Sequence, residues 1–359
     1  MENKIPIQLS KRVTSLRIIL IFFVIVQHTT VFSPEEQFFT FWIKEFISNG
    51  MLYGNVALSF IFSGYFLAIK QHNYIDILKR KIRSLIIPYI LWMLFYFLVY
   101  IILFHTNALH KYSQTIFKMD KWSLKNIVKI FLGYGAYLNT PTLAPQMWFI
   151  RDLIILSVLY PVFMYLYDFR KKYCIAFTLT IITAMGFLYG KGIFHKMGFY
   201  PIFFFSAGII FGMYKINFFE LADKLKYLDL LAGIIILVIL NKLQSNIYPC
   251  FTPLLRFFSS LFWLKFSKYL IAHEKIFLAL KKLSAYSFFI FAVHFKILVL
   301  AVQKIFSLSP DCIHNSGIFF NILMYIFAPL LTFGISLLIG IGVKKITPKF
   351  YSIITGGRT

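Results

Sequence analysis

The chain has 359 residues, of which 59% are hydrophobic and 14% charged, against about 45–50% and 25% in soluble globular domains. With a mean hydropathy of +0.76, that balance excludes an ordinary soluble enzyme and predicts a membrane-embedded protein. The net charge of +24 does not point to nucleic acid. The basic residues collect in short segments between apolar runs, as the positive-inside rule produces, with anionic lipid as counter-surface.

Ten apolar runs reach or approach the roughly 20 residues that a helix needs to cross a bilayer. They cover about 15–33, 52–69, 85–104, 147–167, 174–190, 199–215, 228–241, 249–268, 283–302 and 317–343. The expected fold is all-α, a polytopic integral membrane helical bundle of about ten transmembrane helices. The first run has basic flanks like a signal peptide but no clear small-residue cleavage site, so it reads as an uncleaved anchor. Placing the N-terminus inside gathers most of the 37 Lys and Arg residues on one side, including Arg12, Arg17, the 79–83 cluster and Lys344. That bias predicts both termini in the cytoplasm. The whole chain, 1–359, reads as one membrane domain, with spans over about 15–343 and a short cytoplasmic tail at 344–359. The longest outer segment, 105–146, turns mildly apolar at "IVKIFLGYGAYLN" (127–139), a candidate re-entrant or interfacial helix. Cys174, Cys250 and Cys312 have neither disulfide-framework nor zinc spacing.

The first run, "SLRIILIFFVIVQHTT" (15–30), carries two residues that do not suit a lipid-facing helix, Arg17 and His28. Eleven positions at about 100° each come within about 20° of three full turns, so the two share one face, roughly 16 Å apart along the axis. Taken singly, the arginine also suits a snorkel to lipid phosphate, and the histidine a hydrogen-bonded packing role. One cavity behind their shared face accounts for both, since ionisable groups at such depth face a protein interior or water. A neutral imidazole takes a proton from a hydroxyl near neutral pH. A guanidinium binds phosphate bidentately or stabilises an oxyanion. The pair suits group transfer.

In the second run Asn55, Ser59 and Ser63 recur every four residues as a polar stripe, and Gly64 permits close helix approach. Small residues of this kind serve helix packing more often than chemistry. The loop "ILKRKIRSLIIPY" (77–89) sets Arg80 and Arg83 three apart, on one face if the segment is helical. They suit a polyphosphate such as the nucleotide end of coenzyme A (CoA), and equally an ordinary positive-inside cluster. Trp148, Arg151 and Asp152 open the fourth run, expected on the outer side. There Asp152 reads as an acceptor contact or as part of an interfacial anchor with the tryptophan. Arg151 is expected to be a poor partner for it, because adjacent helix positions diverge. His105, His110 and His314 lack metal-ligand spacing, and no metal is expected.

Five pieces occur in order: Arg-x10-His, "FSGY" (62–65), Arg-x-x-Arg, "MWFIRDLIILSVLYPV" (147–162) and "LSAYSFFIFAVHF" (283–295). Together they resemble the acyltransferase-3 family of integral membrane acyltransferases over nearly the whole chain. The last is similar to the family's Ser-Tyr-x-x-Tyr-Leu-x-His signature. The resemblance implies O-acylation, commonly O-acetylation, of carbohydrate by a multi-pass enzyme of the bacterial inner (plasma) membrane. The implied donor is acetyl-CoA or another acyl-CoA from the cytoplasm. The implied acceptor is exopolysaccharide, O-antigen or a lipid-linked sugar. Membrane lipid is an expected partner, and nucleic acid is not.

By the same resemblance, Arg17 and His28 match the family's essential arginine and histidine, and Arg80 and Arg83 its basic loop pair. His294 matches the late histidine and joins Ser63, Trp148 and Asp152 as candidate substrate contacts. His28 acts either as general base or as a transient acyl carrier. The chain departs from the pattern where Ala57 follows Val56 in place of a frequent acidic residue. Ser59-Phe60 stands where many members have paired phenylalanines, and Phe291 and Ala292 replace the usual tyrosine and leucine. No soluble hydrolase-like domain of the kind some members carry is expected, so this domain or a separate partner completes the transfer. A glycan or acyl-carrier transporter or flippase lined by Arg17 and His28 is the alternative, although its usual paired broken repeats are not found.

Overall fold

The structure, a computed structural model, describes residues 6–29, 38–70, 73–105, 131, 144–168, 199–243, 251–299, 301–302, 305 and 318–358. Among the described residues every regular element is helical. Helix α1 (Ile7–Thr29) is followed by α2 (Phe38–Phe46), a π turn at Ile47–Met51, and α3 (Asn55–Lys70). Next come α4 (Tyr74–Lys81), a second π turn at Ile82–Ile86, and α5 (Ile87–His105). The broken pair α6 (Trp148–Val158) and α7 (Tyr160–Asp168) precedes α8 (Phe199–Met213), α9 (Phe218–Lys224) and α10 (Tyr227–Leu243). The remainder is α11 (Thr252–Ala272), α12 (Glu274–Ser284), and α13 (Ser287–Val293) with its π turn at His294–Leu298, then α14 (Ile318–Ile346) and α15 (Pro348–Ile354).

Helix α1 lies inside the bundle, against α3, α11, α12, α13 and α14. Its sequence requires this, because Leu16, Ile18, Leu20, Phe23, Val24 and Ile25 bury surface on every side of the helix. A helix apolar all round needs neighbours all round. Helices α3 and α8 make the most intimate pair. A Cβ on Gly64 would run into the Phe205 carbonyl, and one on Gly208 into the Ile61 carbonyl. Between apolar helices in lipid, such close backbone approach replaces the hydrophobic drive.

Three stretches, Trp42–Ile69, Tyr74–Val99 and Ile322–Ile346, are each long and apolar enough to cross a membrane. Counting three bent pairs as single spans brings the number to six. Among the described residues, the bends keep some of the expected runs from forming straight rods. The α6–α7 pair turns by 56° just before Pro161, whose missing N–H cannot continue the helix. The α8–α9 pair turns by 98° where Lys215 takes a left-handed φ of 53°. Helices also occupy the expected runs at α1, α10 and α11. The expected run at 174–190 lies outside the described residues, as does the 127–139 segment apart from Phe131.

Candidate active site

His28 sits in the last turn of α1 and stays exposed, although its helix is enclosed by neighbours. Its ring faces His294 at 5.6 Å and Phe295 at 4.3 Å between centroids. His294 opens the third π turn and is fully buried. A π turn interrupts the helical ladder and re-aims side chains, which is why such turns gather at working sites. The His294 Nδ1 lies 2.7 Å from the Phe291 carbonyl. A carbonyl only accepts, so Nδ1 carries the proton and Nε2 keeps its lone pair. That Nε2 is buried without a partner among the described residues. Leaving it so costs free energy, and the fold accepts that cost beside the exposed histidine of α1.

Polar groups from distant segments bond to chain neighbours of the two histidines, Gln27 and Ala292. Gln146 Nε2 donates to Tyr96 Oη at 2.9 Å and to the Ala292 carbonyl at 2.8 Å. Tyr96 donates to the same carbonyl at 2.8 Å. Gln27, next to His28, donates to the Ser48 carbonyl at 2.9 Å and accepts from Asn55 Nδ2 at 3.0 Å. The Ser48 hydroxyl meets Tyr325 Oη at 3.0 Å. These bonds tie the end of α1 to the first π turn, α3 and α14.

Eleven residues earlier, roughly 16 Å along the axis, Arg17 is also exposed. No hydrogen bond or ion pair joins it to a described residue. Its electrostatic neighbour is Arg358. Arg358 donates to the Ser84 carbonyl at 3.1 Å, one residue beyond Arg83. Burial first, then the nearby Arg17, push the Arg358 guanidinium down to about 10. Arg80 and Arg83 are exposed on α4 and the second π turn. The arrangement is a cationic end and an imidazole end, joined by one face of one helix.

The sequence profile of the acyltransferase-3 family, described as an acyltransferase domain, matches residues 11–341. The chain belongs to the acyltransferase-3 family. With its apolar helices, that membership makes it a membrane acyltransferase. No curated protein and no solved structure matches the chain.

Within this acyltransferase the other expected site residues fall differently. Ser63 gives its hydroxyl to the Ser59 carbonyl at 2.9 Å, and Ser59 gives its own to Asn55 at 3.0 Å. The polar stripe therefore bonds to its own backbone one turn back. Trp148 packs against Phe60 at 6.2 Å between ring centroids.

Asp152 requires one correction, because Arg151 Nε does reach Asp152 Oδ1, at 2.7 Å. Adjacent positions diverge at Cβ, but the long arginine stem curls back over that gap. The turn that precedes α6, Pro145–Met147, is anchored through Gln146 to Ala292, two residues from His294. The far end of α6 meets the basic segment, where Tyr74 donates to the Val158 carbonyl at 2.8 Å. Tyr89, near the start of α5, lies within electrostatic reach of Arg151 and Asp152. Asp152 thus lies near the start of α5.

Sequence reasoning also passed over Gln27, Tyr96, Gln146 and Arg358. No group of three metal-ligating side chains occurs among the described residues.

Proposed function

We propose that this membrane acyltransferase moves an acyl group, most simply acetyl, from cytoplasmic acyl-CoA to a hydroxyl of a cell-surface or lipid-linked carbohydrate. The spacing along α1 divides the labour. Arg17 and His28, roughly 16 Å apart, cannot both touch one reacting carbonyl. The donor's phosphates go to the guanidinium end, where Arg17, Arg80 and Arg83 offer charge-assisted bonds. The pantetheine arm then carries the thioester toward His28.

Neutral His28 takes the proton of the acceptor hydroxyl as its oxygen attacks the thioester carbonyl. The tetrahedral intermediate collapses, the C–S bond breaks, and the imidazolium returns the proton to the departing thiolate. An ester and free CoA result. His294, fixed through Nδ1 to the Phe291 carbonyl, positions the His28 ring. Helices packed around α1 limit access of bulk water, which protects the thioester from hydrolysis.

The observation that carries this reading is the exposure of Arg17 and His28 on an enclosed helix of a chain in this family. The test incubates purified protein with radiolabelled acetyl-CoA and a membrane glycan fraction, beside His28→Ala. A general base contributes about 10²–10⁴-fold, so label transfer is expected to fall at least about 100-fold. Transfer at the wild-type rate in His28→Ala removes that residue from catalysis. A wild-type protein that transfers nothing but moves glycan across vesicles is a transporter instead.

A further inference from the structure

The segment that follows α14 returns to the bundle. Tyr351 and Thr355 are fully buried, and Tyr351 stacks on Phe289 at 5.6 Å between centroids. Trp92 donates to the Ile354 carbonyl at 3.0 Å. Gly356 and Gly357 then take left-handed φ values of 66° and 76°, which side chains rarely adopt. A side chain on Gly356 would also collide with the Ser84 carbonyl. This turn delivers Arg358 to a fixed place. Its Nη1 donates to the Ser84 and Thr355 carbonyls at 3.1 and 2.8 Å, and its guanidinium lies 4.6 Å over the Phe288 ring.

One edge of that guanidinium is thus held by carbonyls. The Nε–Nη2 edge, the fork that fits a phosphate, donates to no described residue, and no described carboxylate pairs with Arg358 or Arg17. Holding two like charges near each other without a counter-charge is unfavourable, and a bound anion relieves it. We propose that Arg358 is a further donor-binding residue, which completes with Arg17 and Arg83 a cradle for the phosphates of acyl-CoA. This rests on the acyl-CoA reading above and names a residue beyond the 11–341 range that the family profile matches. Arg358 is placed by packing of the last helix, so its contribution is preorganised.

The test measures binding separately from transfer. Full-length protein in neutral detergent is titrated with CoA by calorimetry, for wild type, Arg358→Gln and Arg358→Lys. Charge-assisted hydrogen bonds correspond to a loss of about tenfold or more when removed. Arg358→Gln is expected to bind CoA at least about tenfold more weakly, and Arg358→Lys to fall between. In the transfer assay, KM for acetyl-CoA rises in Arg358→Gln by more than kcat falls. Size-exclusion profiles confirm folding, and Arg358→Lys serves if Arg358→Gln does not fold.

Equal CoA affinity in all three proteins overturns the proposal. So does Arg358-dependent binding of phosphatidylglycerol vesicles with no binding of CoA, which would assign the cradle to lipid phosphate. Wild-type CoA binding that depends on Arg358, with no acyl transfer to any glycan fraction, keeps this site and removes the proposed reaction. Transfer that proceeds with an unchanged KM in Arg358→Gln does the reverse.

Discussion

Arg12 and Arg17 stand five residues apart on α1, and the fold treats them in opposite ways. Arg12 is 6% exposed. It forks onto Asp223 at 2.9 and 2.8 Å, donates Nε to Ser267 at 2.7 Å, and also bonds the Leu264 carbonyl. Its guanidinium lies 4.7 Å over the Phe219 ring. Arg17 is exposed and is joined to none of the described residues by a hydrogen bond or ion pair. Five positions turn about 140° around a helix, so the two point to different sides. A cation with every guanidinium nitrogen bonded clamps α1 to α9 and α11. A cation without such a partner is, in the proposed function, the one that meets the donor's phosphate.

Substitution separates the two roles. Breaking a buried pair by removing one partner leaves the other charge stranded, at a cost of about 3–5 kcal/mol. Arg12→Ala is therefore expected to lower the thermal unfolding midpoint in detergent strongly. Arg17→Ala is expected to change stability by less than about 0.5 kcal/mol. Equal losses in both variants break the comparison.

The same contrast between filled and open places sharpens at the glycines. Gly208 faces the Ile61 carbonyl with no room for a methyl group, whereas nothing lies within 4 Å of a Cβ on Gly334. Gly208→Ala is expected to cost about 1–3 kcal/mol by overpacking. Gly334→Ala, in the helical α14, is expected to cost nothing measurable in the same unfolding assay. A tolerated Gly208→Ala would show that α3 and α8 can move apart.

The face shared by Arg17 and His28 was legible because two polar exceptions stood out on an apolar helix, and helical period alone relates them. Gly64 was legible for a similar reason, since a small residue in an apolar run points to close approach. Arg12 was not, because a basic residue near a membrane boundary looks the same whether it reaches lipid or an aspartate 211 residues away. The Arg151–Asp152 pair was misread because divergence at Cβ does not limit a long arginine stem. Among the described residues, the π turns at Ile47–Met51, Ile82–Ile86 and His294–Leu298 have no compositional signature, yet they hold Ser48, Arg83 and His294. Gln146 and Arg358 reach the site from segments far away in the chain. Only the glycine pair ahead of Arg358 offered a local signal that the chain turns there.

The proposed function divides the labour along α1, with phosphate held at one end and a proton moved at the other. The most direct measurement compares CoA affinity with the transfer rate at saturating acetyl-CoA in Arg17→Ala and His28→Ala. Arg17→Ala is expected to lose affinity by about tenfold or more. His28→Ala is expected to retain affinity while its rate falls at least about 100-fold. If Arg17→Ala keeps its affinity, or His28→Ala keeps its rate, the two ends do not have these roles.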